Sequence, residues 1–288
     1  MIQNLLAFLG RYRKALMISG GILLAANLFL WSRIFAPAPE FEINFLNVGQ
    51  GDSSLLMLQS AAILIDAGPA TDAALRELDL RLKRRTIDLA VITHPELDHF
   101  GGFLDLLERY RIGAIVWNGR DSESELFEEF RERSKALGIP WIVVRAGDRI
   151  RYGSSTADVL WPRMAAFSNS SANETGIVLR FSLSGVQMLF MADTGEDTEQ
   201  KLAPLLERVD VLKVGHHGSR FSSSADFLNA IDPLVALIGV GKNSYGHPTP
   251  EVLHRLSNVG AKIFRTDRDG TVRVNIENGS LKIFVSKN

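Results

Sequence analysis

Apolar residues fall into short, often β-branched runs divided by polar turns, and between many of these runs they recur every three to four residues instead. The runs predict strands at 41–46, 55–58, 62–65, 87–92, 113–117, 141–144, 149–161, 177–183, 188–191, 209–214, 234–240, 262–265, 271–276 and 281–285. The longer period predicts helices at 72–82, 103–109, 122–137, 196–207 and 250–258, the third opening on a capping box at Ser122-Glu123-Ser124-Glu125. Ser184-Gly185 and Asn278-Gly279 lie between paired runs and read as hairpin turns. Strand and helix alternate in both halves, the rhythm of one α/β domain over residues 40–288.

Residues 15–32 depart from both periods, being uncharged, mostly apolar and about long enough to span a bilayer. Arg11, Arg13 and Lys14 precede the run and Arg33 follows it, a bias that places the N-terminus in the cytoplasm. The expectation is a single-pass protein of the cell membrane, with residues 1–39 as cytoplasmic stub, anchor and spacer and the domain outside the cytoplasm. A cleaved signal peptide is the alternative, since Ala36-Pro37-Ala38 has the small-x-small form.

Of the 288 residues 46% are hydrophobic, enough for a substantial core, and the formal charge of -1 argues against a surface that coats nucleic acid generally. No basic, aromatic-rich run marks a long nucleic-acid groove. Cysteine is absent, which excludes thiolate zinc sites and catalytic thiols and leaves His, Asp and Glu as the strong ligands. Of the six histidines, only His254 falls on an ordinary amphipathic helix; His94, His99, His216, His217 and His247 all sit just beyond apolar runs.

Thr93-His94-Pro95-Glu96-Leu97-Asp98-His99 crowds four metal-capable side chains into one turn, and Gly101-Gly102 lets the backbone pass close beside it. Imidazole mixed with carboxylate suits zinc or manganese better than calcium, which prefers oxygen throughout. Asp66-Ala67-Gly68, Ala192-Asp193, Gly215-His216-His217-Gly218-Ser219 and Asn243-Ser244-Tyr245-Gly246-His247-Pro248 also follow predicted strands. Adjacent histidines point in different directions, so at most one of His216 and His217 reaches a metal while the other supports, carries protons or is structural. Lys213, Asn243 and Ser244 offer an ammonium and short polar groups of the kind that position a phosphate.

His-x-acid-x-Asp-His followed by Gly-Gly resembles the metal motif of the metallo-β-lactamase superfamily. With an acid at Glu96 it is most similar to the branch typified by the C-terminal hydrolase domain of the DNA-uptake protein ComEC. Asn47-Val48-Gly49-Gln50-Gly51-Asp52, Leu212 to Ser219 and Asn243 to Pro248 carry the same resemblance, with Asn47 for an Asp, Ala192 for the Gly before Asp193 and Gly176 for a Ser after Asn173. The resemblance implies an αβ/βα sandwich of two mixed sheets with helices outside, and about two divalent ions, Zn2+ or Mn2+. One ion would take His94, Glu96 and one of His216 and His217; the other Asp98, His99 and His247; Asp193 would join them. Asp52 and Asp66 would stand behind the ligands, Asp98, Lys213, His216 and His217 would serve catalysis, and Asn173, Ser219, Asn243 and Ser244 would meet the substrate. The implied activity is hydrolysis of a phosphodiester, including single-stranded DNA, by a nuclease linked to DNA uptake. Another ester, such as a phosphocholine ester or a lactone, and a non-catalytic assembly module are the alternatives. A single membrane segment would leave strand transport to a separate channel partner.

Overall fold

Two sheets face each other because most of their strands point one set of alternate side chains into a shared core and the other set towards helices on the outside. The structure is a computed structural model that describes residues 15, 17–31, 39–58, 61–152, 155–168 and 171–286. Residues 1–39 and 40–288 form separate units.

The first sheet is made from β1 (Phe41–Phe45), β2 (Ser53–Leu58), β3 (Ala61–Ala67), β5 (Leu89–Ile92), β7 (Ile115–Trp117), β8 (Trp141–Val143), β16 (Val272–Glu277) and β17 (Ser280–Val285). Its order is β17-β16-β1-β2-β3-β5-β7-β8, antiparallel as far as β3 and parallel from β3 onward. The second sheet contains β9 (Arg149–Tyr152), β10 (Ser155–Trp161), β11 (Val178–Leu183), β12 (Val186–Phe190), β13 (Val211–Lys213), β14 (Val235–Ile238) and β15 (Lys262–Arg265). It runs in that sequence from one edge to the other, antiparallel to β12 and parallel beyond it. The short strands β4 (Thr86–Ile87) and β6 (Arg111–Ile112) pair with each other.

Ile43, Leu56 and Val91 of the first sheet meet Phe181, Met188 and Phe190 of the second in the central layer. Helices α2 (Ala73–Arg81), α4 (Phe103–Arg109) and α5 (Glu125–Ala136) cover the outer face of the first sheet, where Phe103 stacks on Phe130 and Phe100 meets Phe127 edge to face. Helices α6 (Glu196–Leu202), α7 (Ala225–Ile231) and α8 (Pro250–Asn258) cover the second. The expected αβ/βα sandwich is therefore the fold.

Several boundaries move for local reasons. The run at 87–92 enters its sheet only at Leu89, because Thr86 and Ile87 pair with Arg111 and Ile112. The stretch 149–161 is two antiparallel strands rather than one. The capping box is absent: Ser124 precedes α5 without a side-chain cap, and its N–H donates instead to Ser122 Oγ at 3.2 Å. Helix α7, not foreseen, begins under a cap from Ser224, whose hydroxyl accepts the Phe227 N–H.

In the N-terminal unit, residues 17–31 form helix α1, and its large apolar side chains are exposed, Leu23 at 66% and Phe29 at 65%. Among the described residues no helix is long and apolar enough to cross a membrane. The flanking charges Arg11, Arg13, Lys14 and Arg33, and Ala36-Pro37-Ala38, lie outside the described residues.

Candidate metal centre

The parallel halves of both sheets deliver their carboxyl ends to one rim, where open α/β sheets place ligands. Beyond β5, His94 is fully buried, with Nδ1 3.0 Å from Thr93 Oγ1. Glu96 then opens the short helix α3 (Leu97–Phe100) without spending its carboxylate on a cap, and α3 presents Asp98 and His99. The turn can lie this close to β3 only because Gly101 and Gly102 lack side chains: a Cβ would come within 2.3 Å of the Ala70 nitrogen and 2.1 Å of the Ala67 carbonyl oxygen.

Asp66 lies near the end of β3 in the left-handed region (φ 56), which costs energy for a non-glycine residue. Its carboxylate accepts the Thr93 N–H at 2.9 Å and the Thr93 hydroxyl at 2.8 Å, and lies 2.9 Å from His99 Nδ1. That contact turns His99 Nε2 towards Asp193, 3.4 Å away. After β13, His216 (φ 48) and His217 (φ 50) are two successive left-handed residues, and their rings diverge by 70°. His217 Nδ1 lies 2.8 Å from the Gly239 carbonyl oxygen, which leaves Nε2 3.2 Å from Asp98 and 3.3 Å from Asp193. His216 faces elsewhere, with Nε2 3.3 Å from Asn173 Nδ2 and its ring 5.6 Å from that of His247.

Nε2 of His94, His99 and His217 and Oδ1 of Asp193 are buried without a hydrogen-bond partner. Ligand atoms of His94, His99 and Asp193 lie within 4.8 Å of one another, as do those of Asp98, His99 and His217. An unsatisfied buried polar atom costs about 1–3 kcal/mol, so converging several on one point is unfavourable unless a cation fills it. The residues fit a divalent ion, and the mixture of imidazole and carboxylate fits zinc or manganese.

Electrostatics divide the imidazoles of the donor set. Burial, reinforced by His99, depresses His94 to about 3, so its imidazole is neutral and able to ligate. Burial raises Glu96, aided by the negative charges of Asp193 and Asp98. For Asp193, burial is outweighed by His217 and His99, which hold its carboxyl well below the usual range. Burial on His99 and His217 is likewise outweighed by carboxylates, Asp193 first, and both imidazoles are raised. In the ion-free site these two imidazoles therefore hold protons against the carboxylates, and a cation that binds would displace them.

The ligand grouping differs from the layout implied by the resemblance. His217 rather than His216 enters the cluster, and it lies beside Asp98 and His99, not with His94 and Glu96. His247 and His216 line the cavity above the cluster. Lys213 requires the largest correction: its Nζ is 2.5 Å from Asp52 Oδ2 and 3.0 Å from the Val214 carbonyl oxygen, buried and turned away from the cavity. Asp52 Oδ1 is also 3.5 Å from His217 Nδ1. Burial alone would raise the Asp52 carboxyl, but Lys213 and His217 prevail and hold it at about 2.

The substrate-contact residues also shift. Asn243 spends its side chain within its own loop, Oδ1 accepting from the Tyr245 and His247 N–H groups and Nδ2 donating to the Gly241 and His247 carbonyls. Ser219 is buried and Ser244 exposed, and neither lines the cavity. Asn173 meets His216 instead of open space. Sequence reasoning missed Gln50, Pro69 and Leu97 as cavity wall, and Glu174, which accepts from the Gly195 N–H and Thr198 hydroxyl and so fixes the turn after Asp193. The departures at 176 and 192 explain each other: a Cβ at Gly176 would come within 2.8 Å of the Ala192 Cβ, so a methyl at one position requires glycine at the other.

A family model described as the metallo-β-lactamase superfamily matches residues 46–242. ComE operon protein 3 of Bacillus subtilis is 28% identical over 96% of this chain and 38% of its own length. Competence protein ComA of Neisseria gonorrhoeae is 28% identical over 91% of this chain and 36% of its own. The chain thus spans a little over a third of these relatives. Among solved structures, the metallo-β-lactamase fold protein YhfI from Bacillus subtilis superposes with a TM-score of 0.58 at 13% identity, covering 86% of this chain and 100% of that one.

Proposed function

The chain belongs to the metallo-β-lactamase superfamily, and on that premise we propose that it is a metal-dependent phosphodiesterase acting on single-stranded DNA. The observation that carries the reading is the set of buried, unpartnered imidazole and carboxylate atoms, of which those of Asp193 and His217 belong to the wall of an open cavity of about 370 Å³. His94, Glu96, Asp98, His99, Asp193 and His217 would hold about two divalent ions. Such ions supply Lewis acidity towards a phosphoryl oxygen and acidify water towards neutral pH.

The protein's own groups set what may be cleaved. Among the described residues no Lys or Arg lines the cavity, so charge neutralisation falls to the ions alone. A singly charged diester suits that arrangement better than a doubly charged monoester, which elsewhere draws Arg or Lys clamps. Asp66 orients His99 and the Gly239 carbonyl orients His217, the two kinds of partner that commonly orient metal-binding imidazoles, while Asp52 adds a negative charge 3.5 Å from His217 Nδ1. His216 and His247, on the cavity wall, are placed to exchange a proton with the leaving oxygen. The name of the Neisseria gonorrhoeae relative, a competence protein, together with the motif resemblance to a DNA-uptake hydrolase domain, favours DNA as the diester.

The test is elemental analysis of the full chain together with a screen of single-stranded DNA, a simple aryl phosphodiester, a phosphocholine ester and a lactone. About two ions per chain and turnover of the first two substrates are expected. Turnover confined to the choline ester or the lactone would replace the reading with hydrolysis of another ester, and a loaded protein inert on all four would favour an assembly module.

Residues 15–32 are proposed as a membrane anchor with the domain outside the cytoplasm, supported by the apolar run and its flanking charges. Strand transport would then belong to a separate channel. Protease added to intact spheroplasts is expected to remove the domain while a fragment near Met1 stays with the membrane; full protection of the domain would overturn the topology.

A further inference from the structure

Tyr245 is 73% exposed, yet it is not on a loose loop. Its N–H donates to Asn243 Oδ1 at 3.1 Å, and the same oxygen accepts the His247 N–H at 3.1 Å. Asn243 Nδ2 closes the turn on the Gly241 and His247 carbonyls at 2.9 and 2.8 Å, and the Gly241 N–H donates to Gln50 at 3.2 Å. Backbone packing locks the base of the loop, since a Cβ on Gly241 would come within 2.3 Å of the Gly49 carbonyl carbon. A large aromatic ring is therefore held in water by a turn braced through Asn243, although it gains little from burial there.

Its surroundings give that ring a use. Tyr245 lines the same cavity as Glu96, Asp98, Asp193 and His217, and its ring centroid is 5.8 Å from that of His247 at an interplanar angle of 30°. Leu97, 43% exposed, and Pro69 form further apolar wall. With no Lys or Arg among the described lining residues, flat and apolar contacts are the main source of affinity left beside the ions and the histidines. Base stacking on an exposed aromatic is the sequence-tolerant contact that single-strand binders use, and every base offers a face for it.

We propose that Tyr245 is the platform on which a nucleobase next to the scissile phosphodiester stacks, making it a specificity residue for base-bearing strands over other diesters. This rests on the phosphodiesterase reading above. Binding by stacking needs no charge contact, so discrimination by this residue should depend little on salt.

The test compares a short single-stranded oligothymidylate with an abasic strand of the same length, by fluorescence anisotropy and by turnover, on the ion-loaded full chain. The wild-type protein is expected to prefer the base-bearing strand by roughly tenfold in Kd and KM. Tyr245→Ala should bring that preference close to one, while Tyr245→Phe and Tyr245→Trp should keep it. Circular dichroism and ion content of each variant confirm that the loop change has not emptied the centre. Equal preference in wild type and Tyr245→Ala, or no preference in wild type, overturns the platform. Cleavage of both strands without dependence on residue 245 would sink the platform and keep the phosphodiesterase reading. Base-dependent binding through Tyr245 without cleavage would keep the platform and sink that reading, and absence of both binding and cleavage would sink the two together.

Discussion

Asp193→Ala is expected to lower the bound divalent ions from about two per chain to less than one, and to reduce hydrolysis by roughly a thousandfold or more. Partners that only orient a ligand typically cost 10–100-fold, so the larger loss would mark a ligand itself. Asp193 lies 3.4 Å from His99 Nε2 and 3.3 Å from His217 Nε2, with Oδ1 buried and unpartnered. It shares one candidate ligand group with His94 and His99 and another with Asp52 and His217, so its loss strips the anionic centre from both sides. The fold should survive, because the site occupies the rim and the central layer is built from other residues, Ile43, Val91, Phe181 and Phe190 among them. Elemental analysis, turnover and circular dichroism of the variant separate these effects. A variant that keeps a full complement of ions would show that Asp193 is not a ligand.

Much of this site was readable because its chemistry is local. His94, Glu96, Asp98 and His99 fall within one turn, and each later cluster follows a short apolar run that could only be a buried strand. The hidden parts depend on pairing across long stretches of chain or on backbone conformation. Lys213 reads as an accessible strand-end cation until Asp52, 161 positions away, is seen against its ammonium. Which of two adjacent histidines enters the cluster depends on left-handed torsions at both, which histidine does not advertise. Asn243 reads as a substrate donor because its use as a loop brace shows only once the turn is closed. Helix α7 was missed because its entry, Ser222-Ser223-Ser224, has loop composition, and only the cap at Ser224 reveals a start.

The link between Asp52 and Lys213 leads to the second large effect. Asp52 precedes β2 in the first sheet and Lys213 ends β13 in the second, so one ion pair crosses the sandwich beneath the centre. Both side chains are nearly inaccessible, at 6% and 5%. Asp52→Asn removes the charge opposite a buried ammonium and should cost about 3–5 kcal/mol, because a buried ion that loses its partner is worse than none. Lys213→Met should cost less, since His217 remains beside the carboxylate. The pair Asp52→Asn with Lys213→Met removes both charges at similar volume and should recover most of the stability, to within about 1–2 kcal/mol of wild type. Metal affinity should not recover with it: His217 keeps the Gly239 carbonyl but loses the negative charge 3.5 Å from Nδ1 that supports it behind the centre, and a fall of about 10–100-fold is expected. Denaturation midpoints of the ion-free proteins measure the first effect, and competition with a chelator measures the second. If the double variant regains both stability and metal affinity, Asp52 braces the fold only. If Lys213→Met keeps its stability but raises KM for a phosphodiester, the ammonium reaches the substrate after all.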